Sequence, residues 1–255
     1  MRAPTRKSNL SHLILKNKLK ITVLGGGSWA TALVKILTEN KRNVGWYIRN
    51  PVNANFIKKH HHNPNYLSAA TLNTKRLKIS SDINKVVTEA DLLILAIPSA
   101  FLSTELDKLN QAIDKKIVFS AVKGVVPESM LIVGEHFNKK FNVPMEKIGV
   151  ILGPSHAEEV AMERLSYLTV ACMDKRLAKA VALMLETKYI RTTISNDIVG
   201  TEYASMLKNI YAIASGIANA LGYGDNFQSV LMSNAIREMK RFIKDVYKMK
   251  RNINN

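Results

Sequence analysis

Apolar and polar positions along the chain switch between two periods. Short apolar runs that read as buried strands fall at residues 20–24, 43–48, 92–97, 117–121 and 148–152, with a shorter candidate at 75–80. Between them the period lengthens to that of helices, at 28–40, 51–59, 82–88, 99–113, 127–141 and 155–163. A strand pattern at 168–172, a helix at 174–186 and a last strand at 188–194 continue the series. Alternating strand–helix units predict a doubly wound α/β fold, with a mainly parallel sheet covered by helices on both faces. After Ser195 the strand signals stop. Ile198 to Leu221 reads as a long helix ending at Gly222, and Asn226 to Met249 as a second. The period changes near residue 195, which divides the chain into an α/β domain over 20–195 and an all-helical region over 196–255.

The first strand runs straight into a glycine turn. Ile21 to Leu24 is followed by Gly25-Gly26-Gly27, and Trp29 to Leu37 reads as a helix. Gly25, Gly27 and Ala30 occupy the three key positions of G-x-G-x-x-G/A. Gly25 permits the tight turn, Gly27 lets a pyrophosphate approach the backbone, and Ala30 lets the helix lie close on its strand. The helix N-terminus offers free N–H groups and a partial positive charge to that phosphate. The order strand, turn, helix makes the α/β domain a Rossmann-type dinucleotide binder. A glycine turn in another α/β protein is the bland alternative.

The chain has 255 residues, 47% of them hydrophobic, enough for a sizeable core. Its single cysteine, Cys172, excludes an internal disulfide and fits a reducing compartment, so the cytoplasm is the expected location. No apolar run approaches membrane-spanning length. The net charge of +17 is the oddity. Residues 1–19 form a basic arm without acids, mildly like a transit segment, and Arg237–Arg251 is a second dense stretch. The remaining cations are scattered, with no zinc-finger spacing, RNP signature or aromatic–basic ladder. Nucleic acid is therefore not the expected partner, and an anionic cofactor and substrate account for part of the excess.

Ligands of open parallel sheets bind beyond the carboxyl ends of the strands, so the residues just past each strand are the candidates for contact. After 43–48 comes Arg49, where an NAD-selective site carries an acid for the ribose 2′-OH. A cation suits a 2′-phosphate, so NADP is favoured over NAD or at least tolerated. An ordinary solvated arginine is the competing reading. After 117–121, Lys123 stands at the ligand edge, or is a solvated loop lysine. After 148–152, Gly153-Pro154-Ser155-His156-Ala157-Glu158 contains a capping box from Ser155 to Glu158 at another helix start. In the helical region Lys208 neighbours Ala204, Ala212 and Tyr211 at helical spacing. It either snorkels outward or is desolvated for proton transfer. His60-His61-His62 leads into Asn63-Pro64 and reads as a surface loop, since adjacent side chains do not converge on a metal.

Six segments, GGGSWATALV, LAIPSAFL, SAVKGV, GPSHAEEVA, EYASMLKNIYAIASGIANALGYGDN and AIREMKRF, together resemble NAD(P)-dependent glycerol-3-phosphate dehydrogenase of the bacterial type. The likeness runs in order from about Lys20 to Asn255. It implies reversible reduction of dihydroxyacetone phosphate to sn-glycerol 3-phosphate, which feeds phospholipid synthesis. It implies that Ser28, Trp29, Arg49 and Ala157 touch the cofactor, and that Gly153 and Ser155 touch a small phosphorylated substrate. Lys123 would be shared by both, and Lys208 would also bind substrate and be the proton donor and acceptor. No metal is implied, and a homodimer is compatible. The nearest alternatives are a lysine-dependent dehydrogenase of the 3-hydroxyacid or 2-oxopantoate type, and a non-catalytic nucleotide-binding remnant. Family members continue past the position of Asn255 with segments that supply an aspartate near the lysine and an arginine for the substrate phosphate. The resemblance thus implies a truncated chain with little turnover on its own.

Overall fold

The computed structural model describes residues 19–247. In chain order the elements are β1 (Ile21–Leu24), α1 (Ser28–Glu39), β2 (Val44–Tyr47), α2 (Pro51–His60), β3 (Leu77–Ser80), α3 (Ile83–Glu89), β4 (Leu92–Leu95) and α4 (Ser99–Leu106). There follow β5 (Ile117–Ser120), β6 (Val125–Val126), β7 (Leu131–Ile132), α5 (Val133–Phe141), β8 (Ile148–Leu152) and α6 (Ala157–Ala161). The series ends with β9 (Ser166–Cys172), α7 (Lys175–Leu185), β10 (Ile190–Ser195), α8 (Ile198–Ala220) and α9 (Asp225–Tyr247). Eight strands form one sheet in the order β10-β9-β8-β5-β4-β1-β2-β3, and β6 pairs with β7 in a small hairpin. The sequence order reverses between β1 and β4, which makes the crevice at their carboxyl ends the switch point.

Successive side chains on a strand point to opposite faces, and the core divides accordingly. Val23, Ile94 and Phe119 face one side with Leu33 and Ile36 of α1 and Leu177 and Val181 of α7. Leu24, Leu95 and Val118 face the other with Leu102 of α4 and Val133 and Phe137 of α5. Apart from Thr22 of β1 and Ser120 of β5, the positions of β1, β4 and β5 are apolar because both faces are covered.

The sheet is parallel except where β8 meets β9, which pair antiparallel with Val150 opposite Ala171. Returning parallel needs a crossover that runs the length of a strand, and the five-residue α6 is too short for that. Three sequence expectations shift. The helix expected at 99–113 stops at Leu106, because Asn84 of α3 holds the following turn by bonds to Lys108 O and Asn110 N. Ile113 still reaches the core, so the apolar period is met by an irregular segment. The helix expected at 127–141 starts only at Val133, after the β6–β7 hairpin turns through Met130 in the left-handed region. Ser155 caps no helix, because its hydroxyl donates to Tyr167 O of β9.

The arm at 1–19 lies outside the described residues except for Leu19, which is buried in the core. Past β10 the chain is helical. α8 lies against β8, β9 and α5, and α9 folds back along α8. α9 buries Ala235, Met239 and Ile243 along one stripe, while Ile210, Ile213 and Ile217 of α8 and Val230 and Phe242 of α9 stay exposed. The last residues of the second expected helix, 248–249, lie outside the described range.

A buried cation ties the helices around the glycine turn. Lys35 of α1 donates to Glu39, to Glu163 beyond α6 at 2.9 Å and to Tyr189 Oη at 3.3 Å. Burial alone lowers a lysine's pKa, but the two carboxylates outweigh it and hold this one above the ordinary value.

Gly149 tests the packing between β5 and β8. A Cβ there would lie 2.3 Å from Cε1 of Phe119, which is fully buried. Gly149→Ala is expected to cost about 1–3 kcal/mol through overpacking, read as a lower urea midpoint. An unchanged midpoint would show that the Phe119 ring can move aside.

Candidate active site

The turn between β1 and α1 is fixed from both sides. Gly25 has φ +128, and a Cβ on it would lie 2.4 Å from Ala96 O at the end of β4. Only glycine allows this approach. Its N–H donates to Tyr47 O at 3.1 Å, and its carbonyl accepts the indole N–H of Trp46 at 2.7 Å. Asn63, almost wholly buried, donates to Gly26 O at 3.1 Å and Thr31 Oγ1 at 2.8 Å. Its own carbonyl oxygen accepts from the N–H groups of Asn65 and Tyr66. The loop that begins with the histidines therefore fastens the glycine turn. The histidines themselves diverge: His61 Nδ1 bonds to Thr74, while Phe56 packs against the rings of His60 and His62.

Gly27 is the N-cap of α1, and no side chain caps that helix. Its first N–H groups thus keep their capacity to hold an anion. No atom lies within 4 Å of the position a Cβ on Gly27 would take. Ala30 is wholly buried, which lets α1 press on the sheet. The turn thus meets the requirements of a pyrophosphate: open space, free donors and a helix N-terminus.

Beside the turn is a cleft of about 430 Å³, lined among others by Ser28, Trp29, Pro98, Lys123, Ser155 and Ala157. These residues come from the carboxyl ends of β1, β4, β5 and β8, as the switch-point rule requires. A larger concavity of about 840 Å³ opens at the amino ends of β1–β3, among Lys20, Lys41, Arg42, Lys75, Arg76 and Lys78. No glycine-turn residue lines it, and it occupies the wrong edge of the sheet for this chemistry.

Gly153 and Ser155 both work against β9. A Cβ on Gly153 would lie 2.4 Å from Tyr167 O, so glycine is needed for the strands to meet. Ser155 Oγ donates to the same carbonyl at 2.7 Å. The N-cap of α6 is His156, and no side chain makes a cap bond there, which corrects the capping-box expectation. The serine proton goes to a neighbouring strand instead, leaving the oxygen's lone pairs toward the cleft.

Lys123 is exposed, and cleft walls crowd its ammonium. Desolvation first, and then the positive charge of Lys208, hold its pKa below the ordinary lysine value. Lys208 is half-buried on α8, outside the cleft's own lining, yet close enough for its charge to act on Lys123. Arg49 lies beyond β2 on the other side of β1. Its side chain is 67% exposed, and Nη1 is 3.4 Å from Oε1 of Glu105. Glu105 is buried and also accepts from Tyr47 Oη at 2.6 Å and Lys108 Nζ at 2.9 Å. Burial opposes ionisation of Glu105, but the Lys108 and Tyr47 hydrogen bonds keep its pKa below the usual value.

Ser28, Trp29, Lys123, Ser155 and Ala157 line one cleft beside the glycine turn, while Gly153 and Lys208 lie outside that lining. Sequence reasoning missed Trp46, Asn63, Glu105 and Glu202. Asn63 sits before a proline and looked like an ordinary turn residue. The others gave no local signal.

The family model for the NAD-dependent glycerol-3-phosphate dehydrogenase N-terminus matches residues 20–178, and the model for the C-terminus of the same enzyme matches 197–254. The glycerol-3-phosphate dehydrogenase [NAD(P)+] of Macrococcus caseolyticus is 34% identical over 88% of this chain and 68% of its own length. That of Alcanivorax borkumensis is 34% identical over 89% of this chain and 66% of its own. The chain thus spans about two thirds of the length of the curated relatives it matches. The solved structure of Plasmodium falciparum glycerol-3-phosphate dehydrogenase superimposes with a TM-score of 0.86 at 27% identity, covering 96% of this chain and 71% of that one.

Gly27→Val separates folding from ligand binding at this turn. The mutant side chain enters open space, so the melting temperature is expected to stay near that of the wild type. NADPH affinity, read by quenching of Trp29 or Trp46 fluorescence, should fall at least tenfold. Equal affinity in mutant and wild type would overturn the assignment of the loop.

Proposed function

The chain belongs to the NAD-dependent glycerol-3-phosphate dehydrogenase family, and from that premise we propose that it reduces dihydroxyacetone phosphate reversibly to sn-glycerol 3-phosphate with NADPH or NADH. The observation that carries the proposal is the cleft at the carboxyl ends of β1, β4, β5 and β8, with Lys123 in its lining and Lys208 near enough for its charge to act on Lys123. Supporting it are the uncapped N-terminus of α1 and the space in front of Gly27. We further assign the two domains to 20–195 and 196–255, and glycerophospholipid synthesis in the cytoplasm as the setting. No helix among the described residues is long and apolar enough to cross a membrane.

In this reading the glycine turn, Ser28, Trp29 and Ala157 hold the dinucleotide, and Arg49 holds its adenosine end. The nicotinamide, when bound, supplies the hydride. The chain must supply the rest: a fixed carbonyl, a proton for its oxygen, and cover against water. Lys208 gives that proton to the C2 oxygen as negative charge develops on it. Lys123 polarises the same carbonyl and holds the substrate, and desolvation and then the charge of Lys208 hold its pKa below the ordinary lysine value. Ser155, with its proton committed to Tyr167 O, presents an acceptor to a substrate hydroxyl. Gly153 contributes backbone, since β9 closes off the side where a side chain would go.

Turnover is tested by following NADPH oxidation with dihydroxyacetone phosphate, a 3-oxoacid and 2-oxopantoate in parallel. The expected result is slow oxidation that depends on dihydroxyacetone phosphate and falls to background in Lys208→Met, with cofactor affinity retained. Preference for either carboxylate substrate would favour the other lysine-dependent dehydrogenases, and cofactor binding without turnover a nucleotide-binding role.

Cofactor preference rests on Arg49. A well-made charged contact to a 2′-phosphate contributes about 1.5–3 kcal/mol. Arg49→Asp should therefore lower the ratio of NADPH to NADH affinity by roughly ten- to a hundredfold. An unchanged ratio would remove Arg49 from the cofactor site.

A further inference from the structure

Glu202 is a buried acid that the proposed chemistry does not use. It lies in the second turn of α8 and is only 4% exposed. Its two carboxyl oxygens face Gly134 N at 3.4 and 3.2 Å, at the start of α5. α5 has no side-chain cap of its own, since its N-cap is Ile132. The acid of one helix thus closes over the unsatisfied N–H groups of another. The contact is also close: a Cβ on Gly134 would lie 3.0 Å from Oε2 of Glu202. Burial pushes the Glu202 pKa up to about 8, while the N–H groups of Gly134 and Val133 pull it back toward the ionised form.

The same two segments carry the two lysines. Lys123 opens the stretch that runs through β6 and β7 into α5. Lys208 lies six residues beyond Glu202 on α8, on the order of 9 Å along the helix axis. Ile132, Tyr203 and Ile243, with Val125, Val199 and Met206 packed against them, form the apolar seam between these segments. An apolar seam holds helices together but leaves them free to slide, because apolar attraction has no direction. A carboxyl group over a particular N–H fixes the register.

We propose that Glu202 is a positioning residue, whose hold on Gly134 sets α8 at the register that brings Lys208 against Lys123. The proposal rests on the reading of these lysines as the reacting pair. It requires no bound ligand, because Lys123 itself reports the position of Lys208.

The test is the pH dependence of Lys123 acetylation by acetic anhydride, read by mass spectrometry on the whole chain. Lys208→Met removes the neighbouring charge and should raise the Lys123 midpoint. Glu202→Ala should raise it similarly, while Glu202→Gln, whose amide oxygen still accepts from Gly134, should keep the wild-type value. A folded Glu202→Ala chain with an unmoved midpoint overturns the positioning role and leaves the lysine pair standing. An unmoved midpoint in Lys208→Met overturns the pair and the proposal with it. If Glu202→Ala does not fold, Gly134→Ala carries the test, since its methyl group crowds the carboxyl at 3.0 Å. A shift of the same sign is then expected, and an unmoved midpoint overturns the proposal.

Discussion

The approach of Gly25 to the end of β4 governs the rest of this molecule. Its would-be Cβ position is 2.4 Å from a backbone oxygen, so the turn exists only with hydrogen at that position. Because the turn is tight, α1 begins directly above the sheet's carboxyl edge. Because α1 begins there with no capping side chain, its first N–H groups point at whatever enters the crevice. Trp46 and Asn63 then hold the loop from neighbouring segments, so the donors are aimed before any ligand arrives. Preorganisation of this kind spares a bound phosphate the cost of ordering the loop.

Three buried ionisable side chains do the joining that apolar contact cannot. Lys35 ties α1 to the segment after α6, Glu105 gathers Tyr47, Arg49 and Lys108 at the far side of β1, and Glu202 joins α8 to α5. Each sits at a place where two elements must keep a fixed offset near the crevice. A buried charge is a poor source of net stability, since desolvation consumes most of what its partners return. Its value here is geometric. The contact works at one position only, whereas leucines and isoleucines pack acceptably at several.

Local pattern carried the reading of β1, the glycine turn and α1, because each step there depends on residues adjacent in the chain. The alternation of strands and helices up to β10 was legible for the same reason. Failures came where distant residues decide. Asn84 ends α4 at Leu106 although Leu109 and Ile113 continue the helical period. Met130 takes a left-handed conformation and makes a hairpin where apolar spacing reads as helix. Ser155 spends its proton on a strand that the sequence placed two residues later. Glu105 and Glu202 resemble the surface acids of any amphipathic helix, and only the fold shows what covers them. The convergence of Lys123 and Lys208 likewise had no local trace. Local pattern left each with a solvated reading beside a functional one, and their nearness depends on how α8 lies against β8 and β9.

Two neighbouring ammonium groups repel each other, and the proton affinity of Lys123 is lowered first by desolvation and then by that repulsion. A fold would not settle there for stability alone, since exposed lysines are satisfied by water. The arrangement becomes favourable when an oxygen with negative charge lies between the two. That charge is small on a ground-state carbonyl and large once hydride has been added. The interaction therefore grows along the reaction, which is the condition for lowering a barrier and not merely tightening binding. The net charge of +17 contributes little to this selectivity, because its cations are spread over both edges of the sheet. It raises the local concentration of anions in general. In the proposed reaction, discrimination falls to the pair, and so to the proposed hold of the contact between α8 and α5 on it.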